Sequence, residues 1–256
     1  MSKSNKNRDR REHIEQMRRQ AQASERRRTL AVVAACVVVA LIIVGVAAYT
    51  ILQDRQRKEA LKGKSLSEIG ADANGAGCTS IQEEPASGQG QHTTDKVDYK
   101  IQPPSYGAHN PSPAEAGIHL YSKDDRPEVE RLVHNLEHGW TIVWYDDSIA
   151  ADDAEMQVLE ATAEKFDAQG SDPRYNMILA PWTADDGSPI PDGKHVAFTH
   201  WSIHQPTYKP PTSNASPPSF GESLYCDRFS GDALDSFMKK YPYDDAPEGY
   251  LWHQGG

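Results

Sequence analysis

Several common catalytic signatures are absent from this sequence. It contains no G-x-S-x-G element, which positions the nucleophile of α/β-hydrolases, and no G-x-G-x-x-G element, which binds dinucleotide phosphates. It has only three cysteines and no C-x-x-C pair, the usual spacing of a redox dithiol. The sequence therefore offers no motif for serine-hydrolase, dinucleotide-dependent or dithiol chemistry.

Charged side chains are missing from one long segment near the amino terminus. Residues 30–52 read LAVVAACVVVALIIVGVAAYTIL. As a helix this segment would be roughly 34 Å long, enough to cross a hydrocarbon core of about 30 Å. The apolar region of a cleaved secretory signal is shorter, about 7 to 15 residues. We therefore predict an uncleaved signal anchor with one transmembrane helix; the alternative, a buried core helix, would usually show a polar face.

The charge on either side of this segment is strongly asymmetric. Residues 1–29 form a basic tail of net charge +6, although the whole chain carries −10, so the remainder carries −16. Basic residues concentrate on the cytoplasmic side of membrane spans. We therefore predict a cell-membrane protein with a cytoplasmic amino terminus and an extracytoplasmic carboxy-terminal domain. The acidity of that domain is unfavourable for binding nucleic acid.

The part after the span divides by composition. Residues 53–96 are rich in Gly, Ala, Ser, Gln and charged residues, which predicts a flexible stalk. Residues 97–256 are predicted to form an exterior α+β domain. Its predicted elements are strands at 97–101 and 118–121, a helix at 127–138, a strand at 140–145, a helix at 152–167, strands at 175–180 and 195–204, and a helix at 231–241.

The order of elements from Trp140 onward indicates a mixed sheet. A strand, a helix and a strand predict a parallel crossover, and the next strand predicts an antiparallel hairpin. This order is similar to the second half of a thioredoxin-like fold. Because the C-x-x-C pair is missing, only the topology and not the chemistry would carry over.

The cysteines divide between the span and the exterior. Cys36 lies inside the span, which leaves Cys78 and Cys226 on the outer side. An even pair in an oxidising compartment predicts a disulfide. Free thiols, or a redox or copper-binding pair, are the alternatives.

One short segment, His134-Asn135-Leu136-Glu137-His138-Gly139, is a candidate metal site. On a helix, His134 and His138 project from one face and can bind a single cation. The letters also match H-x-x-E-H, in which two histidines bind zinc and the glutamate is the general base of a peptidase. That motif needs a longer helix, whereas Gly139 predicts a helix end. The alternative is a helix terminus with a polar network, in which Glu137 pairs with Arg131 or a loop.

Other histidines come close to this segment in the sequence. His92, His109 and His119 all precede the predicted helix, and several converging imidazoles could bind zinc or copper. His200 and His204 lie on a predicted strand, an even number of residues apart, so their side chains point to the same face. We expect them to form a half-exposed polar face.

Two segments, KVDYKIQPPSYGAHNP and VHNLEHGWTIVWY, carry a family resemblance. They resemble actinobacterial membrane-anchored proteins of the domain of unknown function family numbered 3105, whose pattern joins D-Y, P-P-x-x-G-x-H-x-P and H-x-L-E-H-G. The resemblance covers approximately residues 92–241. It implies that the family's signature positions are occupied by His109, His134, Glu137 and His138, and it implies no reaction.

The chain departs from that family at one point. Many relatives carry Cys-Gly shortly after the H-x-P element, where this chain has Ala116-Gly117. A disulfide inherited from that position is therefore excluded.

Taken together, these patterns predict a membrane-anchored extracytoplasmic accessory protein with a histidine-rich site for zinc or copper. The candidate ligands are His92, His109, His134, Glu137 and His138. Two alternatives stay open: a metal-free interaction module of an envelope complex, and a metal-dependent hydrolase with Glu137 as base.

The predicted topology can be tested on intact spheroplasts. Because the charge bias orients the span, an external protease should degrade an epitope placed at the carboxy terminus. An epitope placed before residue 29 should stay intact and serves as the matched control. Protection of the carboxy-terminal epitope would contradict the assigned orientation.

Overall fold

The computed structural model describes residues 3–72, 74–86, 90–205 and 217–253. The chain forms two compact units, residues 1–57 and residues 58–256. The first unit is helical, and the second contains a five-stranded sheet.

The amino-terminal part is one long helix, α1 (Lys3–Lys62). The stretch His13–Lys62 contains a window with a mean hydropathy of 3.2, and none of that window is buried. Length and composition therefore make α1 a candidate membrane span. The core helix of a soluble protein would instead be mostly buried, because apolar side chains are removed from water on folding.

A mixed sheet forms the centre of the second unit. Its spatial order is β1-β5-β4-β2-β3, in which β2 and β3 are parallel and the other neighbours are antiparallel. The strands are β1 (Gln82–Pro85), β2 (Thr141–Tyr145), β3 (Met177–Pro181), β4 (Val196–Ser202) and β5 (Phe220–Cys226).

The described residues of this unit also form four α-helices. They are α2 (Val129–Glu137), α3 (Asp147–Ala150), α4 (Asp153–Asp167) and α5 (Gly231–Lys240). The side chain of Asp152 accepts from two amides at the start of α4, and Ser230 accepts from Ala233 at the start of α5. These contacts satisfy amides that have no partner inside the helix.

Both faces of the sheet are buried. Along β2, Ile142 and Trp144 belong to one hydrophobic cluster, and Val143 and Tyr145 belong to another. The first cluster includes apolar residues of α2, and the second includes those of α4 and α5. Because successive side chains of a strand point to opposite faces, the continuous apolar run of β2 can fill both clusters. The unit is therefore layered, with α2 on one face and α4 and α5 on the other.

The predicted mixed sheet and its parallel crossover are confirmed. Helix α4 connects β2 to β3, which pair in parallel. The predicted hairpin of the strands at 175–180 and 195–204 is wrong, because β4 pairs with β2 and β5 rather than with β3. The likeness to a thioredoxin-like fold stays a prediction of topology.

The predicted strand at 97–101 is also wrong. The amide of Val97 donates to the Glu130 side chain at 2.7 Å, and the buried Tyr99 hydroxyl donates to the Ala108 carbonyl at 2.8 Å. The segment is therefore tied to α2 and a loop rather than to a neighbouring strand. At 118–121 only a single parallel bridge forms, between Leu120 and Leu179.

Much of the segment predicted as a flexible stalk has ordered structure. Helix α1 continues to Lys62, β1 pairs with β5, and Ile69 and Ala76 are fully buried. The sequence QEEP of β1 has no alternation of apolar residues, so its composition favours a linker. The structure makes it an edge strand because its backbone pairs with β5 through hydrogen bonds.

A disulfide joins Cys78 to Cys226, with an S–S distance of 2.03 Å. Cys226 is the last residue of β5 and is fully buried. The adjacent Thr79 amide donates to the Tyr225 carbonyl at 2.8 Å, so covalent and hydrogen bonds attach the same short segment to the sheet.

Removal of this disulfide should destabilise the protein. We expect Cys78→Ala and Cys226→Ala each to lower the free energy of unfolding by about 2–5 kcal/mol, because the unfolded chain gains freedom. The double variant should cost clearly less than the sum, since both single changes remove the same bond. Denaturant unfolding of the full-length protein without reductant measures this, with Cys36→Ala as control. Additive costs would contradict a shared bond.

Candidate metal centre

The carboxy-terminal end of α2 forms one side of the candidate site. His134 and Glu137 are buried on α2, and His138 follows directly after the helix. The helix ends because Gly139 has φ 84°, a left-handed conformation. A Cβ there would lie 1.7 Å from the Tyr243 carbonyl oxygen, so a side chain would also collide with backbone. This turn leads directly into β2 and keeps His134 and His138 one helical turn apart.

A loop places His109 and His92 beside this helix end. The His109 amide donates to the Gln91 carbonyl at 2.9 Å, and the Thr93 amide donates to the His109 carbonyl at 2.7 Å. These two bonds form a short parallel bridge between His92 and His109, whose ring centroids are 5.0 Å apart. The Asn110 amide donates to the Glu130 carbonyl of α2 at 3.2 Å, which ties the loop to the helix.

Backbone carbonyls orient two of the imidazole rings. Nδ1 of His109 lies 2.8 Å from the Gly107 carbonyl oxygen, and Nδ1 of His134 lies 2.6 Å from that of Asn110. A carbonyl oxygen only accepts, so in both rings Nδ1 carries the hydrogen. In the neutral rings, the lone pair is therefore on Nε2, which is the arrangement typical of metal-binding histidines.

The two Nε2 atoms lie close to other side chains that could bind a metal ion. Nε2 of His134 lies 2.9 Å from Nε2 of His138. Nε2 of the fully buried His109 lies 3.0 Å from Oε2 of Glu137. The two atoms are not aligned for a hydrogen bond, and this nitrogen has no hydrogen-bond partner among the described residues. A lone pair and a carboxylate oxygen repel at this distance unless a proton or a cation lies between them.

Six side chains offer ligand atoms in two neighbouring groups. Within each group the ligand atoms lie within 4.8 Å of one another; the groups are His92, His109 and His134, and Glu137, His138 and Glu248. All the donors are imidazole nitrogen or carboxylate oxygen, a set that suits zinc and copper(II). We name these six residues the histidine-carboxylate cluster.

The pKa values of the imidazole rings shift in different directions within the cluster. Burial lowers the pKa of His134, and burial together with the neighbouring His134 lowers the pKa of His138 to about 4. Burial also acts to lower the pKa of His109, but the Glu137 carboxylate and the Gly107 carbonyl outweigh it, so that pKa is raised. His134 and His138 are therefore neutral at pH 7, the form that binds a metal.

Glu248 was missed by sequence reasoning. Its amide donates to the Glu137 carbonyl at 2.9 Å, and its carboxylate lies 3.4 Å from Nε2 of His138. Burial, and then the charge of Glu137, raise the pKa of Glu248. No local motif could have found it, because it is far from α2 in the sequence.

Three other histidines of the described residues, His119, His200 and His204, lie outside the cluster. Nδ1 of His119 donates to the Met177 carbonyl at 2.6 Å, and His119 belongs to no group of possible metal ligands among the described residues. The expected half-exposed face of His200 and His204 is wrong. His200 is fully buried, with Nε2 3.0 Å from the Asp245 carbonyl oxygen. His204 lies beyond the end of β4, with Nε2 2.8 Å from Oε1 of the buried Glu222.

Fold and site together define a class: an α/β domain with a mixed five-stranded sheet and a histidine-carboxylate cluster at the end of one helix. The chain belongs to the family described as protein of unknown function (DUF3105), whose model matches residues 91–251. This confirms the family resemblance of the two histidine motifs. No curated protein and no solved structure matches the chain.

Burial of neutral His138 predicts a pH dependence of stability. The pKa of His138 is about 4 in the folded state and about 6.5 in the unfolded state. As the pH is lowered, the unfolded state therefore becomes protonated at His138 before the folded state does. His138 therefore lowers the free energy of unfolding as the pH falls from about 6.5 toward 4. In chelator-treated full-length protein, His138→Gln should therefore lose less unfolding free energy between pH 7 and 4.5 than the wild type.

The matched control is His13→Gln, which changes an exposed histidine of α1. It should follow the wild-type pH profile. The comparison between variants cancels the opposite contribution of His109, whose raised pKa favours the folded state at low pH. Equal slopes for His138→Gln and the wild type would contradict a buried neutral His138.

Proposed function

We propose that this protein is a single-pass, membrane-anchored accessory protein whose extracytoplasmic domain binds zinc or copper. The proposed ligands are His92, His109, His134, Glu137 and His138. One observation carries the proposal: carbonyl groups hold Nδ1 of His109 and of His134, which directs both Nε2 lone pairs into a cluster with a carboxylate.

The energetics of the cluster support a bound cation. An unsatisfied buried polar group costs about 1–3 kcal/mol. His109 is fully buried, and its Nε2 faces Oε2 of Glu137 at 3.0 Å. A proton on Nε2 can satisfy this contact, in keeping with the raised pKa of His109, and a metal ion would take the place of that proton and bind both atoms.

The donor set narrows the choice of metal. Zinc sites in proteins combine imidazole and carboxylate ligands, with metal–ligand distances of about 2.0–2.2 Å. Two ligand atoms of one tetrahedral ion are then roughly 3.3–3.6 Å apart. Within each of the two ligand groups the ligand atoms lie within 4.8 Å of one another, close enough for small side-chain rotations to bring them to that range. Copper(II) accepts the same donors.

The membrane assignment rests on separate observations. Helix α1 contains one window long and apolar enough to cross a bilayer, and the basic residues concentrate before it. The bias predicts a cytoplasmic amino terminus. The cluster would then face the outer side, where an envelope protein complex is the partner we expect.

Metal content provides the direct test. Full-length protein purified in detergent from metal-replete cells should carry at least one equivalent of zinc or copper per chain by elemental analysis. His134→Ala and His138→Ala should each bind clearly less metal than the wild type while retaining the wild-type far-ultraviolet circular dichroism spectrum. His195→Ala, which changes a half-exposed histidine paired with Asp146, should retain it and is the matched control.

Two results would favour the alternatives. A metal-free wild type, in which His138→Ala lowers only stability, would identify the cluster as a polar network of an interaction module. Metal-dependent turnover of a peptide or ester that is abolished in Glu137→Gln would identify a hydrolase.

A further inference from the structure

The histidine-carboxylate cluster has more donors than one ion needs. A tetrahedral zinc ion takes four ligands, whereas four imidazoles and two carboxylates converge here. We propose that the cluster binds two adjacent metal ions and that Glu248 is a ligand of the second ion. This inference rests on the proposed function, because it assigns the number of ions and the ligands at that same site.

The donors divide into two complete sets of three. In the first set, ligand atoms of His92, His109 and His134 lie within 4.8 Å of one another. In the second set, those of Glu137, His138 and Glu248 meet the same limit. Three protein ligands are the number that catalytic zinc ions commonly have, with a small molecule in the fourth position. Each set is therefore sufficient for one ion.

Two close contacts place the sets side by side. Nε2 of His134 in the first set is 2.9 Å from Nε2 of His138 in the second. Nε2 of His109 in the first set is 3.0 Å from Oε2 of Glu137 in the second. Ions bound by the two sets would consequently be neighbours, at a separation on the order of the 3.5–4 Å that is usual in two-metal sites.

The chemistry of the ligands assigns the bridging group. With Nδ1 on a carbonyl, each of His109 and His134 has one nitrogen left and can bind one ion only. A carboxylate has two oxygens and can bind an ion with each. Glu137 touches a ligand of the first set and belongs to the second, so its carboxylate is the group that bridges the two ions.

Glu248 is held in place by the backbone of the helix end. Its amide donates to the carbonyl of Glu137, the last residue of α2, at 2.9 Å. This bond fixes the start of the final turn, Gly249–His253, against the cluster. Its carboxylate is half-exposed and lies 3.4 Å from Nε2 of His138. The side chain is thus near enough to complete the second set and exposed enough for substitution without loss of folding.

Zinc stoichiometry tests the proposal. Chelator-treated full-length protein in detergent is dialysed against zinc, and bound zinc per chain is measured by elemental analysis. We expect two equivalents for the wild type and one for Glu248→Gln, because the variant keeps the shape of the side chain but removes one of the two carboxylate charges of the second set. His92→Ala should also retain one equivalent, since it weakens only the first set.

Glu115→Gln, which neutralises an exposed carboxylate outside the cluster, is the matched control and should bind two. The metal-free melting temperature of each variant should equal that of the wild type, which separates loss of a ligand from loss of folding. One equivalent in both the wild type and Glu248→Gln would overturn the second ion and leave the proposed function intact. Two equivalents in Glu248→Gln would overturn the role of Glu248. No bound zinc or copper in any form would overturn both proposals.

Copper provides a readout of distance. Two copper(II) ions joined by a carboxylate couple their electron spins, so the electron paramagnetic resonance signal should account for much less than the copper present in the wild type. In Glu248→Gln the remaining ion is isolated, and the signal should account for all of the bound copper. A full signal from two equivalents in the wild type would place the ions apart and overturn a bridged pair.

Discussion

Burial of both faces of the central sheet is the constraint on which the rest of the second unit depends. Strand β2 is buried at every position, so its apolar side chains need a helix layer on each side. Helix α2 covers one face, and its direction is set by Leu132, Val133 and Leu136 packing on that face. The end of α2, and with it His134 and His138, is therefore positioned by the core rather than by the site.

The histidine-carboxylate cluster uses that rigid helix end as a platform. The His109 loop is tied to α2 through the Asn110 amide, and Glu248 is tied to it through the Glu137 carbonyl. Ring orientation is set by carbonyl oxygens of the same loop, at Gly107 and Asn110. A cluster built in this way keeps its geometry because backbone hydrogen bonds, and not flexible side chains alone, hold the imidazole and carboxylate groups.

Elements with a local apolar signal could be predicted from the sequence. The run from Trp140 to Tyr145 and the helical stripe of α4 were identified, because burial imposes a period that the letters display. Strand β5 was missed because FGESLYC places the buried Glu222 and Ser223 among its apolar residues. Their burial is compensated by partners that are distant in sequence, such as His204, and no local pattern reports such partners.

For the site, the sequence by itself determined which residue types were present and that His134 and His138 share a helix face, since a helix repeats every 3.6 residues. It also determined the long apolar run and the charge bias around it. Only the tertiary structure decided that His92 and His109 join them, that His119 does not, and that Glu248 completes the cluster. These choices depend on hydrogen bonds between residues that are far apart in the sequence, such as those at Gln91, Asn110 and Glu248, and loop closure over such separations has no local signal in the sequence.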